Sequence, residues 1–375
     1  MTGADAIARV RPRVDALSAA RWATPALLVG LTALSLVLHT RVIDAGFWID
    51  EGISVGIAHH PLADIPGLLR QDGSPPLYYL LLHVWIGWFG DGEVATHALS
   101  LAFALACIPA AYWAANELFG RLAGWICAGL AAIDPYLAAY GQETRMYTLL
   151  ALLSIFATVA FVRGVVDGRR GWLPLLVGST TAMLYTHNWA LFFCVALTVA
   201  TLLFARDHLR EAVIAGAAIL ILYAPWLPTL IDQVQHTGAP WSLKPSFHSL
   251  LLSPGYVVAG DAALFAFVLA GVIGFAVVMR NDRQLRRLVL SLSTIVVVTL
   301  GVAWVASQAS PAWATRYCGV VLGASLPLCA AAVARAGRFG AVALLLVLVV
   351  WTNNTPRPDK SDVREVTALV APSVR

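Results

Sequence analysis

Residues 119–166, FGRLAGWICAGLAAIDPYLAAYGQETRMYTLLALLSIFATVAFVRGVV, decide the fold. Two apolar runs, 119–140 and 145–163, are joined by a short polar turn, GQETR. Each run approaches the roughly 20 residues that a helix needs to cross a hydrocarbon core. Their far ends carry Arg121 and Arg163, whereas the turn carries Glu143 and Arg145. The pattern predicts two adjacent membrane helices with mixed polar chemistry at one end and arginine at the other.

Outward from this pair the rest of the chain repeats the theme. It has 375 residues, 59% hydrophobic and 12% charged, with a mean hydropathy of +0.76. A soluble domain carries about 25% charged residues, so most of this surface must face lipid. About eleven apolar segments emerge, near 22–40, 95–116, 119–140, 145–163, 172–186, 188–205, 211–231, 257–279, 288–306, 316–334 and 339–352. The expected fold class is an all-α integral membrane protein, a polytopic bundle of transmembrane helices. The basic N-terminus leads straight into an apolar run from Trp22 to His39, long enough to span, which reads as an uncleaved first helix rather than a signal peptide.

The charges set the topology. Sixteen of the 25 Lys and Arg fall at alternate segment ends: Arg9, Arg11, Arg13, Arg21, Arg121, Arg163, Arg169, Arg170, Arg206, Arg210, Arg280, Arg283, Arg286, Arg287, Arg335 and Arg338. The opposite ends hold Arg41, Arg70, Arg145, Lys244 and Arg316. Cytoplasmic ends are the arginine-rich ones, so the chain is expected N-in. That makes 1–21 a cytoplasmic tail, 22–352 the transmembrane domain with an odd number of helices, and 353–375 an outer tail. Charges placed as topology signals also argue against nucleic acid as a partner despite the net charge of +4. The five cysteines lie in apolar segments without metal or redox spacing, and no disulfide framework is expected.

The acids go the other way. The first outer loop, 41–94, holds Asp44, Asp50, Glu51, Asp64, Asp72, Asp91 and Glu93. Long loops usually carry function. Within it HPLADIPGLL and PPLYYLLLHVWIGWFG read as short interfacial helices, the second rich in the Tyr and Trp that favour the membrane surface. A second outer loop, 232–256, contains QHTGAPWSLKPSFHS, with Trp241 and Lys244. Three polar clusters then share the outer side: Asp50 with Glu51 in WIDEG; Asp72, Tyr78 and Tyr79 in QDGSPPLYY; and Glu143, Arg145 and Tyr147 in YGQETRMYTLL. His187 in THNW, and Arg316 and Tyr317 in ATRYCG, join them. Helix ends polar only for solvation would show similar mixtures on both sides, yet the inner ends hold mostly arginine.

The residue types suit one kind of chemistry. A carboxylate can take a proton from a hydroxyl. Neighbouring carboxylates can hold a divalent cation, for which Asp50, Glu51 and Asp72 are the candidates. Arginines bind phosphate by charge-assisted bonds, and aromatics pack on sugars. Together they suit group transfer from a phosphate-bearing lipid to a hydroxyl. Each residue also has a plainer reading: a capped helix end for Asp50 and Glu51, a turn for Asp72, an interface anchor for Arg145, Arg316 or the tyrosines.

The ordered series WIDEG, DGSPPLYYLLLHVW and GWICAGLAAIDPYLAAYGQETRMYTLLALL resembles the GT-C glycosyltransferases of the family 39 kind, which include protein O-mannosyltransferases and the lipid A aminoarabinose transferase. The likeness is strongest over 22–165 and has ATRYCG as a further point. It implies a GT-C bundle, a polyprenyl-phosphate sugar donor, and an inverting transfer to a glycan, lipid-linked glycan or protein hydroxyl outside the cytoplasmic membrane. It also implies that the acid after the first helix, Asp50, is the general base, with Glu51 and Asp72 supporting it. Arg145, Tyr147, Glu143, Arg316, Tyr317, Tyr78, His187 and Lys244 become the candidate substrate-binding residues, and a divalent metal the candidate cofactor. The chain departs from the pattern before Pro75-Pro76, where Gly73-Ser74 replace the His or Glu-Lys of relatives, which argues against aminoarabinose. Many relatives continue into a soluble outer domain, so the tail is expected to be either the start of such a domain or the end of a minimal member. The rival class is a transporter or flippase for a lipid-linked molecule, which should place ionisable groups near the bilayer midplane; a structural or assembly partner is the third.

Overall fold

The computed structural model describes residues 22–237, 242–276 and 278–353. The expectations for the N-terminal tail, for Trp241 and for the tail from residue 354 fall outside these.

The described chain is helical throughout. Helix α1 (Ala23–His39) is followed by three helices in the first loop: α2 (Ile49–Ala58), α3 (Ile65–Asp72) and α4 (Leu77–Phe89). Then come α5 (Glu93–Phe119), α6 (Arg121–Ile133), α7 (Pro135–Tyr140) and α8 (Tyr147–Phe161), the last prolonged by a π turn to Val166. Helices α9 (Leu173–Leu184), α10 (Ala190–Phe204), α11 (Leu209–Tyr223) and α12 (Leu227–His236) lead to α13 (Phe247–Val257) and α14 (Asp261–Phe275). The chain continues through α15 (Arg283–Ala309), a 3-10 segment Thr315–Val321, α16 (Leu322–Arg335) and α17 (Arg338–Asn353).

Among the described residues five helical stretches are long and apolar enough to cross a membrane: Glu93–Phe119, Tyr147–Val166, Arg206–His236, Arg283–Ala309 and Thr315–Arg335. A sixth candidate is the pair α13 and α14, bent by 78°. Five shorter apolar helices accompany them: α1, α4, α6, α10 and α17. The expected count of eleven spans is therefore not reproduced one for one, and the reasons are local. Pro135 ends the 119–140 run early, because a residue before proline is pushed out of the helical region. Asp134 takes ψ 119° and caps α7, its Oδ1 accepting from the Tyr136 and Leu137 amides at 2.8 and 3.1 Å. In the other direction, helix runs through the second outer loop as far as His236, held by Arg70, whose guanidinium grips Asp232 at 2.6 and 2.9 Å.

Packing separates the centre from the rim. Tyr147–Val166 and Thr315–Arg335 are each 78% buried over their apolar windows, against 17% for Arg206–His236. Side chains such as Val213, Ile221, Phe265, Val297 and Val342 point outward, as lipid-facing positions should. The two central helices touch backbone to backbone at Gly323, where an added Cβ would lie 2.2 Å from the Ser154 carbonyl oxygen. There the Gly323 amide also donates to Ser154 Oγ at 3.0 Å. Gly323→Val should force the central pair apart and cost about 1–3 kcal/mol or more, read as a lower thermal midpoint and less folded protein in detergent.

Candidate active site

The acidic pair lies after the first helix, as expected. It opens a separate one. Trp48 is extended (φ −87°, ψ 172°), and Asp50 and Glu51 occupy the first turn of α2, where negative charge meets the positive end of the helix dipole. Adjacent residues on a helix point about 100° apart, and here the two acids part company.

Glu51 turns inward and is fully buried. Its Oε1 accepts from the Thr144 amide at 2.7 Å and faces His97 Nε2 at 2.8 Å, while Oε2 accepts from the Trp48 amide at 3.1 Å. His97 is equally buried, and its Nδ1 lies 2.7 Å from the Ile43 carbonyl. A carbonyl only accepts, so Nδ1 carries a hydrogen; a further proton then lies between Nε2 and Glu51. One carboxylate thereby ties α2, α5 and the 141–146 turn together.

Asp50 turns outward. Its side chain is 26% exposed, and Oδ2 lies 3.4 Å from Arg316 Nη2. The Arg316 guanidinium sits 5.1 Å from the Trp48 ring and 5.5 Å from the Tyr317 ring. Beneath Asp50 lies Arg145, buried, whose Nη1 donates to Ser54 Oγ at 2.8 Å, the Asp50 carbonyl at 3.2 Å and Tyr79 Oη at 3.4 Å. Tyr79 in turn reaches Asp72 Oδ2 at 3.4 Å. The DGSPP turn that carries Asp72 is pinned from two sides. Asn188 Nδ2 donates to the Gly73 carbonyl at 3.0 Å, Gln233 Nε2 to the Leu69 carbonyl at 2.8 Å, and the Leu77 amide to the Tyr185 carbonyl at 2.8 Å.

An aromatic wall completes the site. Tyr147 lies 5.1 Å from Tyr140 and 6.2 Å from both His187 and Tyr317, while His187 and Tyr317 are 4.6 Å apart. Trp189 packs on Tyr317 and Trp313. His187 Nδ1 accepts from the Trp189 amide at 3.1 Å, so the imidazole is neutral with its hydrogen on Nε2. Burial, helped by the nearby Arg145 and Arg316 charges, pushes its pKa down to about 3. In the unfolded chain the ring titrates near 6.5. Stability from the neutral ring is thus complete above about pH 6.5 and is lost as pH falls from there towards 3. His187→Gln should flatten that part of the thermal-midpoint profile between pH 7 and 4.

Of the residues picked from sequence, Asp50, Asp72, Arg145, Tyr147, His187, Arg316 and Tyr317 come together through these contacts. Glu143 is buried in the same turn, its carbonyl accepting from the Arg145 amide at 2.7 Å. Tyr78 instead faces inward, its hydroxyl 2.7 Å from Ser100 Oγ, which donates to the Arg145 carbonyl. Lys244 is exposed, and no contact among the described residues links it to the cluster. The three candidate metal ligands do not fit a cation: Glu51 is buried among its donors, Asp50 faces Arg316, and Asp72 meets Tyr79. Among the described residues no three His, Cys, Asp or Glu side chains converge as a metal site. Sequence reasoning passed over His97, Ser54 and Tyr136. His97 gave no signal beyond being a polar residue in an apolar run.

Tyr136 sets the position of Arg316. Its hydroxyl donates to the Arg316 carbonyl at 2.6 Å, and it gets there because residue 319 has no side chain: a Cβ on Gly319 would lie 2.0 Å from the Tyr136 oxygen. Gly319→Ala should displace Tyr136 and, with it, Arg316.

Comparison with known proteins bears on the fold. Residues 73–231 match the profile of the family described as dolichyl-phosphate-mannose-protein mannosyltransferase. Among solved structures, apo ArnT from Cupriavidus metallidurans superposes with a TM-score of 0.66 at 17% identity, over 94% of this chain and 65% of that one. The fold is that of the GT-C membrane glycosyltransferases. The same ArnT bound to undecaprenyl phosphate gives a TM-score of 0.61 at 18% identity, over 95% of this chain and 66% of that one. The Archaeoglobus fulgidus oligosaccharyltransferase in complex with zinc and sulfate gives 0.55 at 12% identity, over 92% and 55%. The chain thus spans 65% and 66% of the length of the two ArnT structures. No curated protein sequence matches it. The family match includes Arg145, Tyr147 and His187, whereas Asp50, Asp72 and Arg316 lie outside it.

Proposed function

We propose that the chain is a glycosyltransferase that moves a sugar, mannose or a pentose, from a polyprenyl phosphate to a hydroxyl of a glycan, lipid-linked glycan or protein at the outer face of the cytoplasmic membrane. The observation that carries this reading is the juxtaposition of Asp50 and Arg316 at 3.4 Å on the rim of an aromatic wall. A proton acceptor and a phosphate-binding cation stand within one sugar's reach of each other.

In the proposed step Asp50 takes the proton of the acceptor hydroxyl. The hydroxyl oxygen attacks the anomeric carbon from the face opposite the phosphate, and the bond from that carbon to the phosphate oxygen breaks with inversion. The electron pair leaves on the polyprenyl phosphate. Arg316, the more accessible guanidinium, receives this charge, as electrostatic stabilisation of a leaving group requires. Arg145 acts from below by fixing the first turn of α2 and adding positive potential. Tyr317, backed by the buried Tyr147 and His187, forms the aromatic wall against which a sugar ring packs. No step passes through a metal, because the acids do not form a binding set.

The lipid tail has a place as well. An apolar cavity of about 530 Å3 runs between α8, α9, α10 and α11, lined by Leu184, Leu197, Gly216, Ile219 and Tyr223 among others. Tyr223 packs on Tyr185 with ring centroids 5.3 Å apart, and Tyr185 lies two residues before His187. An added Cβ at Gly216 meets no atom within 4 Å, so Gly216→Trp should fill the groove. It should raise KM for a polyprenyl-phosphate sugar severalfold and leave kcat near the parent value. The function itself is tested in nanodiscs with labelled polyprenyl-phosphate mannose and pentose. Release of polyprenyl phosphate with transfer of label to a hydroxyl acceptor is expected; a protein that neither binds nor consumes either lipid is not this enzyme.

A further inference from the structure

A second polar cavity lies far from the candidate active site. Tyr147 begins the span of 20 residues that ends at Val166, a rise of roughly 30 Å. Val166 lines a cavity of about 730 Å3 together with Asp167, Arg169, His208, Arg283, Arg286 and Arg287. Small-ligand sites occupy roughly 300–1,000 Å3.

Four guanidiniums and an imidazole face one concavity, and the nearby acids are already engaged. Asp167 Oδ2 meets Arg163 at 2.6 Å, and Asp207 Oδ2 meets Arg287 at 3.0 Å. Among the described residues no carboxylate pairs with Arg169, Arg283 or Arg286. The His208 Nδ1 atom is buried without a hydrogen-bond partner. Three of the arginines also sit in the first turns of α15, at positions 283, 286 and 287. Like charges three and four residues apart on a helix repel, and positive charge opposes the dipole at that end. An anion in the cavity relieves both.

Arginines at the cytoplasmic ends of helices are ordinary topology signals, but those need only reach the lipid–water boundary independently. Here two separate chain segments, 166–169 and 283–287, bring their arginines, and a third brings His208, to one concavity. We infer that this cavity binds the phosphate-bearing headgroup of an anionic lipid in the leaflet opposite the candidate active site. Basic pockets between membrane helices have this use.

The test is native mass spectrometry of the full chain in detergent, titrated with phosphatidylglycerol or phosphatidylcholine. Retention of phosphatidylglycerol over phosphatidylcholine is expected. The pair Arg283→Gln/Arg286→Gln should weaken phosphatidylglycerol retention on the order of tenfold or more. Arg283→Lys/Arg286→Lys should keep most of it, and Arg210→Gln/Arg338→Gln, at the same end of the bundle but outside the cavity, should change little. If the glutamine pair does not fold, Arg169→Gln, which lies outside the helices, gives the same reading with a severalfold loss. Equal retention of both lipids, or equal losses in the cavity and control pairs, overturns the inference. Displacement of the lipid by an equal concentration of inorganic phosphate overturns it in favour of a free-anion site.

Discussion

Asp50→Asn is expected to lower sugar transfer from polyprenyl phosphate by about 10²- to 10⁴-fold, the range that a lost general base usually costs, while leaving the thermal midpoint near that of the parent. The two halves of this result have separate origins. Among the described residues the carboxylate accepts no hydrogen bond that holds the fold together, and its one ion-pair contact there is with Arg316 at 3.4 Å on a partly exposed rim. Such pairs contribute roughly 0–1 kcal/mol. The amide keeps the shape and still faces Arg316, but cannot take the acceptor's proton. Donor binding should therefore persist, measured as retention of labelled lipid, while transfer falls. Full transfer by the variant would sink the role of Asp50 as base and leave the site needing another proton acceptor.

The neighbouring substitution should behave in the opposite way. Glu51→Gln is expected to destabilise the fold by about 3–5 kcal/mol, the usual cost of breaking a buried charged pair. The carboxylate serves the Thr144 amide, the Trp48 amide and His97 with two oxygens at 2.7–3.1 Å. An amide has one oxygen, so whichever way it turns its NH2 confronts a backbone N–H that only donates. Removing His97 as well should cost less than the two single changes together, because both act through one shared proton. The measurement is thermal unfolding in detergent for the single and double variants. A Glu51→Gln protein as stable as the parent, but inactive, would move Glu51 from the scaffold into the chemistry.

The contrast between these two acids shows how far the sequence can be read. WIDEG announced two carboxylates, and alternation of arginine-rich and acid-rich ends grouped YGQETRMY, THNW and ATRYCG on the same side as them. The structure brings Asp50, Arg145, Tyr147, His187, Arg316 and Tyr317 into one connected set. What could not be read was direction. Tyr78 and Tyr79 are adjacent and chemically identical, yet one bonds Ser100 in the interior while the other lies between Arg145 and Asp72. Lys244 had the right charge on the right side, and still makes no contact with the cluster among the described residues. The helix pattern failed at breaks, where one Asp-Pro step shortened a span and one Arg70–Asp232 pair lengthened another.

By itself the sequence determined that this chain is a polytopic helical membrane protein, which ends of its helices are polar, and that a GT-C order of motifs runs along it. Those properties are sums over many residues: hydrophobic length, charge bias and motif order survive without knowing any contact. Only the tertiary structure decided that Glu51 is buried against His97, that Arg316 reaches Asp50 from more than 260 positions away, and that the three acids do not converge on one point. Each of these depends on one side chain's direction and on a partner remote in the chain. The acids after Trp48 illustrate the reason: a new helix starts there, and its roughly 100° step per residue sends two adjacent carboxylates to opposite environments.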